Sequence, residues 1–302
     1  MFRREESGYG STESLLETSP PSPNWTRIAA DAVRLQTEFE VTELLMNSAN
    51  GIVYQGHCLA TGEEVIFKQI PRTTVPNWMF HDGSLVPAEI AYHFAAFRLA
   101  TNETICRPVA WLEKRSSFVL ILEKLGGGNC MDLFELSKKY GAIAEEPVKI
   151  IFSQLVDMWA SLNASGICHR DLKDENVIIN SSTLECRLID FGCATKLSPK
   201  DQKSFAGTPE FFPPEWFRQG SYTHHNLTAW SVGVILFILL TGKMPVQLKP
   251  NIVDFNLERD AYAHLTSLSS GAQNLLKALL ENEPAKRADY ARTRKLLQQW
   301  CC

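Results

Sequence analysis

Apolar residues in the first part of this chain follow a strand-like pattern. Short runs rich in β-branched and aromatic residues lie at residues 44–45, 52–54, 65–67, 109–112 and 118–122. Turn residues separate these runs, which is the arrangement expected of successive β-strands. One stretch differs, because residues 87–99 begin with a proline and continue with helix-forming residues. The first part is therefore predicted to be a β-sheet with one helix.

After the glycine run at residues 126–128 the pattern becomes helical. Pro147 suits the start of a long helix. Large apolar residues then recur at helical spacing, namely Ile151, Leu155, Met158, Trp159 and Leu162. Residues 232–240 are apolar on all sides, as in a buried helix, and residues 271–280 and 292–300 predict later helices. The pattern predicts an α+β fold of two lobes, β-rich and then helical, with a cleft between them.

The first residues of the chain have a different composition. Residues 1–24 are rich in Ser, Glu and Pro. Such a segment buries too little apolar area to offset its ordering entropy, so we expect a disordered tail. Asn24 is a suitable cap for a short helix over residues 25–35. The predicted parts are a tail with a short helix at 1–37 and a folded domain at 38–300, with lobes at 38–123 and 129–300.

The overall composition narrows the class of protein. Hydrophobic residues make up 45% of the chain and charged residues 21%, which is ordinary for a soluble globular protein. A net charge of −4 argues against a nucleic-acid-binding surface, which is normally basic. There is no apolar run of about 18 residues and no secretory pattern at the N-terminus, so we expect no membrane span. Eight cysteines without metal-type spacing favour a reduced compartment, the cytoplasm and also the nucleus.

Two short polar motifs contain candidate chemistry. Residues 169–176 read His-Arg-Asp-Leu-Lys-Asp-Glu-Asn, and residues 190–192 read Asp-Phe-Gly. Together they supply a carboxylate to accept a hydroxyl proton, a cation, and two oxygen ligands suited to Mg²⁺, which is the set that phosphoryl transfer needs. A lone His-Arg-Asp is a weak signal, whereas both motifs in order are specific. The alternative, two hairpin strands with solvated turns, does not explain the matching motifs elsewhere.

With these motifs, residues 38 to 300 resemble a eukaryotic serine/threonine protein kinase. The finer pattern is most similar to the Pim subfamily of the calmodulin-kinase-like group. The likeness lies in residues 118–123, 171–176, 213–216 and 229–233. Thr228 supports it as well, because it stands where most kinases have an aspartate that Pim kinases also lack. The resemblance implies a two-lobed kinase fold.

The resemblance also implies roles for the charged residues. Lys68 would hold the α- and β-phosphates of ATP, and Glu89 would pair with its ammonium group. Asp171 would orient the substrate hydroxyl and accept its proton. Lys173 would neutralise the γ-phosphate, and Thr208 would hydrogen-bond the pair formed by Asp171 and Lys173.

The implied nucleotide site has a metal part and an adenine part. Asn176 and Asp190 would ligate Mg²⁺, which prefers few protein oxygens together with phosphate and water. Gly51 would belong to the loop that covers the phosphates. Backbone groups from Glu123 to Leu125 would hydrogen-bond the base. The adenine pocket would be lined by Leu45, Val53, Ile66, Leu122, Ile178 and Ile189.

Two further expectations concern the larger lobe. Glu215 is expected to form a structural ion pair with Arg287. Arg170 matches an arginine that binds a phosphorylated activation segment in many kinases. The hydroxyls available here, such as Ser198 and Ser204, do not form an obvious required phosphorylation site. We therefore expect constitutive activity.

The sequence departs from the kinase pattern at the cleft. Met46 and Ser48 stand where kinases usually have glycine, and only Gly51 survives. Because glycine lets a backbone approach phosphates, we expect weaker ATP binding, by about 1 kcal/mol per lost glycine if a positive φ is needed. Ile66 replaces the usual alanine and narrows the adenine slot. The hinge after Glu123 is longer and richer in glycine than in Pim kinases.

The expected function is transfer of the γ-phosphate of ATP to Ser or Thr hydroxyls of protein substrates by a monomeric enzyme. Asp132, Asp174 and Glu175 are expected to receive arginine side chains, which predicts Arg-rich peptide substrates. Two alternatives stay open: a pseudokinase used as a scaffold, and a kinase-fold enzyme for small molecules. The full set of catalytic residues speaks against the first, and the peptide-docking segment at 207–215 speaks against the second.

Overall fold

The computed structural model describes most of the chain. The described residues are 22–48, 51–100, 103–126, 129–245, 247–249, 252–254 and 266–301. The predictions made for the N-terminal tail, for Ala49 and Asn50 of the phosphate-covering loop, and for Gly127 and Gly128 of the hinge lie outside these residues.

The smaller lobe is built on antiparallel strands. Its elements are α1 (Trp25–Glu38), β1 (Phe39–Ser48), β2 (Gly51–Cys58), β3 (Glu64–Pro71), β4 (Trp78–His81), β5 (Ser84–Pro87), α2 (Ala88–Leu99), β6 (Pro108–Glu113) and β7 (Ser117–Glu123). One five-stranded sheet has the order β1-β2-β3-β7-β6, and β4 pairs with β5 in a separate hairpin. The residue Asn24 caps α1 as predicted, because its Oδ1 accepts from the Arg27 N–H.

Helices pack on both faces of the sheet. Side chains alternate along each strand, so both faces carry apolar residues against which a helix can pack. Val65 and Phe67 of β3 are buried on one face, with Leu35 of α1 packed against their cluster. Ile66 and Ile70 lie on the other face, in the cluster that includes Ile90 of α2. The face that carries Ile66 and Ile70 is called the inner face here. It packs against α2 and borders the cleft.

The larger lobe is mainly helical. Its elements are β8 (Cys130–Asp132), α3 (Leu133–Tyr140), α4 (Glu145–Ala164), β9 (Ile167–Cys168), β10 (Val177–Asn180), β11 (Glu185–Leu188), β12 (Thr195–Lys196), α5 (Pro214–Gln219), α6 (His224–Thr241), β13 (Gln247–Lys249), β14 (Ile252–Asp254), α7 (Ser270–Leu279) and α8 (Tyr290–Cys301). The helix α6 is apolar all round and packs against α4 and α7, which explains its burial. Among the described residues it is the one helix long and apolar enough to cross a bilayer, and most of it is buried inside the lobe.

The predicted two-lobed α+β fold is confirmed. The hairpin β4–β5 and the helix α3 were not predicted. A signal for the hairpin was present, because Asp82-Gly83 lies between its apolar strands, and Asp-Gly is a preferred two-residue hairpin turn. Asp82 and Gly83 adopt φ of 48° and 73°, as that turn requires.

Candidate active site

Lys68, Glu89 and Asp190 meet at the inner face of the smaller lobe. The Lys68 Nζ lies 2.6 Å from Glu89 Oε1 and 2.7 Å from Asp190 Oδ1. Burial disfavours the ammonium group, but the two carboxylates outweigh it and raise the pKa of Lys68. Burial also opposes ionisation of Asp190. The charge and hydrogen bond of Lys68, with the Gly192 N–H, outweigh burial and lower the pKa of Asp190 to about 2. This lysine is therefore a fixed cation shared by two segments, α2 and the turn after β11.

A column of rings connects α2 to the catalytic loop. Phe191 is fully buried, and its ring centroid lies 4.6 Å from that of His93 on α2 and 4.9 Å from that of His169. His93 donates from Nε2 to the Cys106 carbonyl at 2.7 Å, and His169 donates to the Ile189 carbonyl at 3.0 Å. Burial lowers the pKa of His93 to about 4, so this ring is neutral. His169 therefore supports the loop through its contacts, and Phe191 packs beneath α2.

Asp171 is held from both sides of its carboxylate. The Thr208 hydroxyl donates to Asp171 Oδ1 at 2.8 Å, which is the contact expected from the sequence. Asn176 donates from Nδ2 to the Asp171 carbonyl at 2.8 Å and to its Oδ2 at 3.3 Å. The Lys173 Nζ lies 4.0 Å from Asp171 Oδ2 and 2.5 Å from Glu175 Oε2. A carboxylate fixed beside a lysine in this way can accept a proton from a hydroxyl group.

The backbone near both motifs is held in unfavourable conformations. Arg170 and Asp190 have φ of 62° and 59°, in the left-handed region that residues other than glycine rarely adopt. Gly207 has φ 123°, and a Cβ at this position would lie 2.3 Å from the Arg170 carbonyl oxygen. Such conformations cluster at functional sites, where the surrounding structure enforces them.

Asn176 and Asp190 present oxygen atoms that fit a divalent metal. The Asn176 amide nitrogen faces Asp171, so the amide oxygen points away from it. Asp190 Oδ1 binds Lys68 and the Gly192 N–H, which leaves Oδ2 for a ligand. Two such oxygens suit Mg²⁺, which completes its shell with phosphate and water. Within the described residues, no group of three or more His, Cys, Asp or Glu forms a denser metal site.

Most of the predicted adenine pocket comes together from the two lobes. Cross-strand pairing places Ile66 opposite Leu122, and it places Val53 opposite Lys68. These side chains therefore share the inner face of the sheet. Ile189 packs against the same core cluster as Leu122. Ile178 lies in β10, two residues after Asn176. The Asn176 main-chain carbonyl accepts from the Ile189 N–H, which joins the two segments.

The remaining pocket residues lie at the rim. Leu45 is the unpaired residue of a bulge in β1 and is 48% exposed. Leu125 lies in the hinge, where its carbonyl accepts from the Cys130 thiol at 3.1 Å. These two residues are not packed with the others.

An ion network behind the hinge was not predicted. The Glu123 carboxylate accepts from Arg107, at 2.8 Å from its N–H and 3.1 Å from Nε. Arg187 of β11 lies 3.8 Å from the same carboxylate and pairs with Glu103 and Glu185 at 3.1 and 2.8 Å. Because Arg187 belongs to the larger lobe, the network joins the lobes. Its members are far apart in sequence, so no local signal predicts it.

Gly51 is a glycine that the phosphate-covering hairpin requires. It has φ 144°, and a Cβ there would lie 2.4 Å from the Gln69 carbonyl oxygen. Met46 and Ser48 instead occupy ladder positions opposite Val53 and Gly51, and neither has a positive φ. The expected loss of ATP affinity depended on a positive φ at the positions of the lost glycines. Met46 and Ser48 do not have one, so this reason for weaker ATP binding does not apply to them. The Ser48 hydroxyl donates to the Gly51 carbonyl at 3.1 Å and braces the hairpin.

Aromatic rings hold the segment that follows Asp-Phe-Gly. The Phe205 centroid lies 4.4 Å from Phe212 and 5.8 Å from Trp216. Tyr222 packs against the last two rings and donates its hydroxyl to the Ser204 carbonyl at 3.1 Å. The concentration of aromatic residues between 205 and 222 is a sequence signal that we did not use.

Hydrogen bonds rather than ion pairs hold Arg170 and the start of α6. Arg170 donates from Nε to the Cys193 carbonyl at 2.7 Å and forms no ion pair among the described residues. His224 accepts from the Ser198 N–H at 3.0 Å, and burial lowers the pKa of His224 to about 4. Thr228, at the position of the usual aspartate, donates to the His224 carbonyl at 3.0 Å.

The predicted ion pair of the larger lobe is present. The Arg287 guanidinium binds the Glu215 carboxylate through two hydrogen bonds of 2.7 and 2.8 Å, and both side chains are buried. It also lies over the ring of Trp230, with Cζ 5.1 Å from the centroid. This pair is structural.

Carboxylates cluster beside the catalytic loop. Asp174 is buried, and burial together with the charges of Glu175 and Asp132 raises the pKa of Asp174 to about 6. Burial also raises the pKa of Asp132, and Glu135 adds to this shift. Lys173 is the cation seen to pair within the group, with Glu175. The cluster therefore has more negative than positive charge.

Comparison with known proteins agrees with this geometry. A family model described as protein kinase domain matches residues 39–300. The chain is 30% identical to serine/threonine-protein kinase pim-2 from Danio rerio over 225 residues, which cover 72% of each chain. It is 29% identical to serine/threonine-protein kinase prk-2 from Caenorhabditis elegans, over 78% of this chain and 52% of that protein. It is 31% identical to serine/threonine-protein kinase PLK4 from Nematostella vectensis, over 83% of this chain and 25% of that protein. The chain therefore belongs to the protein kinase family, as a serine/threonine kinase with a Pim-like sequence pattern.

Proposed function

We propose that this kinase is catalytically active and transfers the γ-phosphate of ATP to Ser and Thr hydroxyls of protein substrates. One observation carries the proposal: the cation of Lys68 lies within 2.7 Å of both Glu89 and Asp190. An assembled set of this kind is what phosphoryl transfer needs before substrates arrive. The pseudokinase alternative gains no support, because the residues that such proteins lose are present and in contact.

The proposed mechanism assigns one task to each side chain. The acceptor hydroxyl attacks the γ-phosphorus, its proton passes to Asp171, and the bond to the bridging oxygen of ADP breaks. Thr208 keeps Asp171 in place through its 2.8 Å hydrogen bond. Lys173 neutralises charge on the transferred phosphoryl group. Lys68, aimed by Glu89, holds the α- and β-phosphates.

The proposed cofactors are ATP and Mg²⁺. The adenine would lie between Ile66 and Ile178, which project from opposite lobes. Mg²⁺ held by Asn176 and Asp190 would neutralise phosphate charge. Gly51 would let the hairpin lie close to the phosphates.

We propose that substrates carry arginine near the acceptor residue. The support is the excess negative charge around Asp132, Asp174 and Glu175, where the pKa of Asp174 is raised to about 6. A guanidinium group would relieve that repulsion through charge-assisted hydrogen bonds. Asp174 and Glu175 lie in the catalytic-loop segment and Asp132 pairs with Ile178 of the adjoining strand β10, so the arginine would sit close to the transferred phosphate.

We further propose that activity does not require phosphorylation of the activation segment. The support is the packing of Phe205 against Phe212 and Trp216, which holds the segment while Lys68 is already paired with Glu89 and Asp190. Phosphatase treatment of the purified protein should leave the rate of phosphoryl transfer unchanged, and a loss of most activity would contradict this.

We also propose that the kinase domain spans residues 38–300 and acts as a monomer in the cytoplasm and nucleus.

The decisive experiment is transfer of labelled γ-phosphate from Mg-ATP to an arginine-rich serine peptide. Asp190→Asn removes the proposed metal ligand and should abolish transfer. Asp157→Asn is the matched control, because this aspartate lies on α4 near Arg294 and should keep wild-type activity. Equal background from wild type and Asp190→Asn, with both proteins folded and ATP saturating, would reject the proposed activity.

The same assay tests the substrate preference. A peptide with alanine in place of each arginine should have a KM at least about tenfold higher, since a charge-assisted bond contributes about 1.5–3 kcal/mol. Equal KM values for the two peptides would show that the acidic cluster does not select the substrate.

A further inference from the structure

The N-terminal helix α1 contacts the hairpin that precedes α2. This helix lies before the residues matched by the family model, which begin at 39. The Arg27 guanidinium lies 3.5 Å from the centroid of the Trp111 ring. It donates to Ser84 Oγ at 3.1 Å and to Asp31 Oδ2 at 3.2 Å. Arg27 therefore joins α1, strand β6 and the first residue of β5.

Buried charges fix α1 on the sheet. Asp31 is 4% exposed, and its Oδ2 accepts from the Glu113 N–H at 2.8 Å. The Glu113 carboxylate in turn accepts from the Asn24 N–H at 3.1 Å and from the Arg72 guanidinium. Removing one partner of a buried charge network leaves the other charges buried without compensation, which is costly. The helix is therefore held strongly against the sheet. It can therefore serve as a fixed support for Arg27.

The hairpin leads directly to the residue that pairs with the catalytic lysine. Strand β5 runs from Ser84 to Pro87, and Glu89 is the second residue of the helix that follows. The Ala88 N–H donates to the Asn77 carbonyl at 2.9 Å, which ties the start of α2 to the residue before β4. The two strands therefore anchor the N-terminus of α2.

A cavity shows how close this anchor is to the site. It has a volume of about 230 Å³ and is lined by Lys68 and Glu89 together with Asn77 and Pro87. A shift of the hairpin would move one wall of the cavity and the first turn of α2 together.

We propose that Arg27 is a positioning residue for phosphoryl transfer. By stacking on Trp111 and binding Ser84, it holds the hairpin and thereby keeps Glu89 against Lys68. The inference rests on the proposed role of Lys68 and Glu89 in holding ATP. It adds a segment outside the matched family region to the machinery of this kinase.

Kinetics of full-length variants test the proposal. Arg27→Ala should lower kcat/KM for ATP by about threefold to tenfold, the usual range for an indirect effect on a site. The KM for the peptide should not change, because the groups that meet the peptide lie on the larger lobe. Arg27→Lys should recover only part of the loss, since an ammonium group lacks the planar fork that stacks and binds two partners.

Two further variants separate positioning from general stability. Ser84→Ala removes the bond to the hairpin alone and should reproduce part of the loss, and it decides the question if Arg27→Ala does not fold. Glu38→Ala is the matched control, because the Glu38 carboxylate pairs with Arg34 on the same helix, takes no part in the contacts of Asp31 or Ser84, and its loss should leave ATP kinetics unchanged.

Hydrogen–deuterium exchange gives a readout that does not depend on activity. Residues 84–99 should exchange faster in Arg27→Ala and Ser84→Ala than in wild type, while α7 should not change. Wild-type exchange in this region together with wild-type ATP kinetics would overturn the proposal. So would an equal loss in Glu38→Ala, or a peptide KM that rises as much as the KM for ATP. If the wild type proved inactive, the exchange result would still stand.

Discussion

The catalytic loop and the phosphate-covering hairpin face the same cleft but are held in different ways. Asp171 and Asn176 are fixed through hydrogen bonds of their side chains. The hairpin β1–β2 is fixed by main-chain pairing, and Met46 is 58% exposed. A main-chain ladder does not depend on side-chain identity. Of these two regions, the chain departs from the kinase pattern in the one held by its backbone and keeps the pattern in the one held by its side chains.

The largest effect is expected on the side of the catalytic loop. Asp171→Asn removes the proposed proton acceptor but keeps its size and much of its hydrogen bonding. The kcat should fall by about 10² to 10⁴, the usual contribution of a general base, with little change in the KM for ATP. Steady-state assays beside the Asp157→Asn control would check this. A fall of less than tenfold would mean that the loop is as tolerant as the hairpin.

The next effect is expected in the hairpin at Gly51, where the backbone does constrain the residue. Gly51→Ala places a Cβ 2.4 Å from the Gln69 carbonyl oxygen at φ 144°. We expect the free energy of unfolding to fall by about 1–3 kcal/mol and the KM for ATP to rise. Thermal unfolding and ATP titration would measure both. Gly62→Ala, in a turn with open space around the Cβ, is a control for the loss of a glycine.

The pH dependence of substrate binding should be a property of the catalytic loop. The pKa of Asp174 is raised to about 6, so this carboxyl is ionised at pH 7.5 and mostly protonated at pH 5.5. Protonation removes the charge proposed to attract arginine, so the KM for an arginine peptide should rise as the pH falls, by up to about tenfold for one charge-assisted bond. Asp174→Asn should flatten this dependence. An unchanged slope in the variant would assign the effect to another group.

The smallest effect is expected when glycines are restored to the hairpin. Met46→Gly combined with Ser48→Gly returns the usual pattern, but neither position has a positive φ to relieve. The KM for ATP should change by less than about threefold, because no strain of about 1 kcal/mol per residue is removed. A tenfold fall would show that these side chains obstruct the nucleotide, and the contrast between the two regions would fail.

The parts of the site that sequence could predict are those where a residue's chemistry is its function. Asp171 and Asp190 follow from the motifs and Lys68 and Glu89 from the family resemblance, and in the structure all four line one cavity. The lobes follow from the change in apolar period. These features depend on local patterns or on a known spacing, and both are visible in one sequence.

The parts that sequence could not predict are contacts between distant segments. Arg27 reaches Ser84 and Trp111, and Arg187 reaches Glu123, across the fold rather than along the chain. Whether a missing glycine causes strain depends on φ, which the sequence does not state. The hairpin β4–β5 is a different case, because its Asp-Gly turn was readable and was overlooked.

The buried pair of Glu215 and Arg287 has a consequence for how variants of this protein are read. Loss of either partner leaves a charge without compensation in the core, which costs about 3–5 kcal/mol and approaches the total stability of many domains. In a mutational scan scored by activity, both positions would therefore look as essential as Asp171. A scan scored by abundance would separate them, because a catalytic variant accumulates as folded protein and a variant of this pair does not.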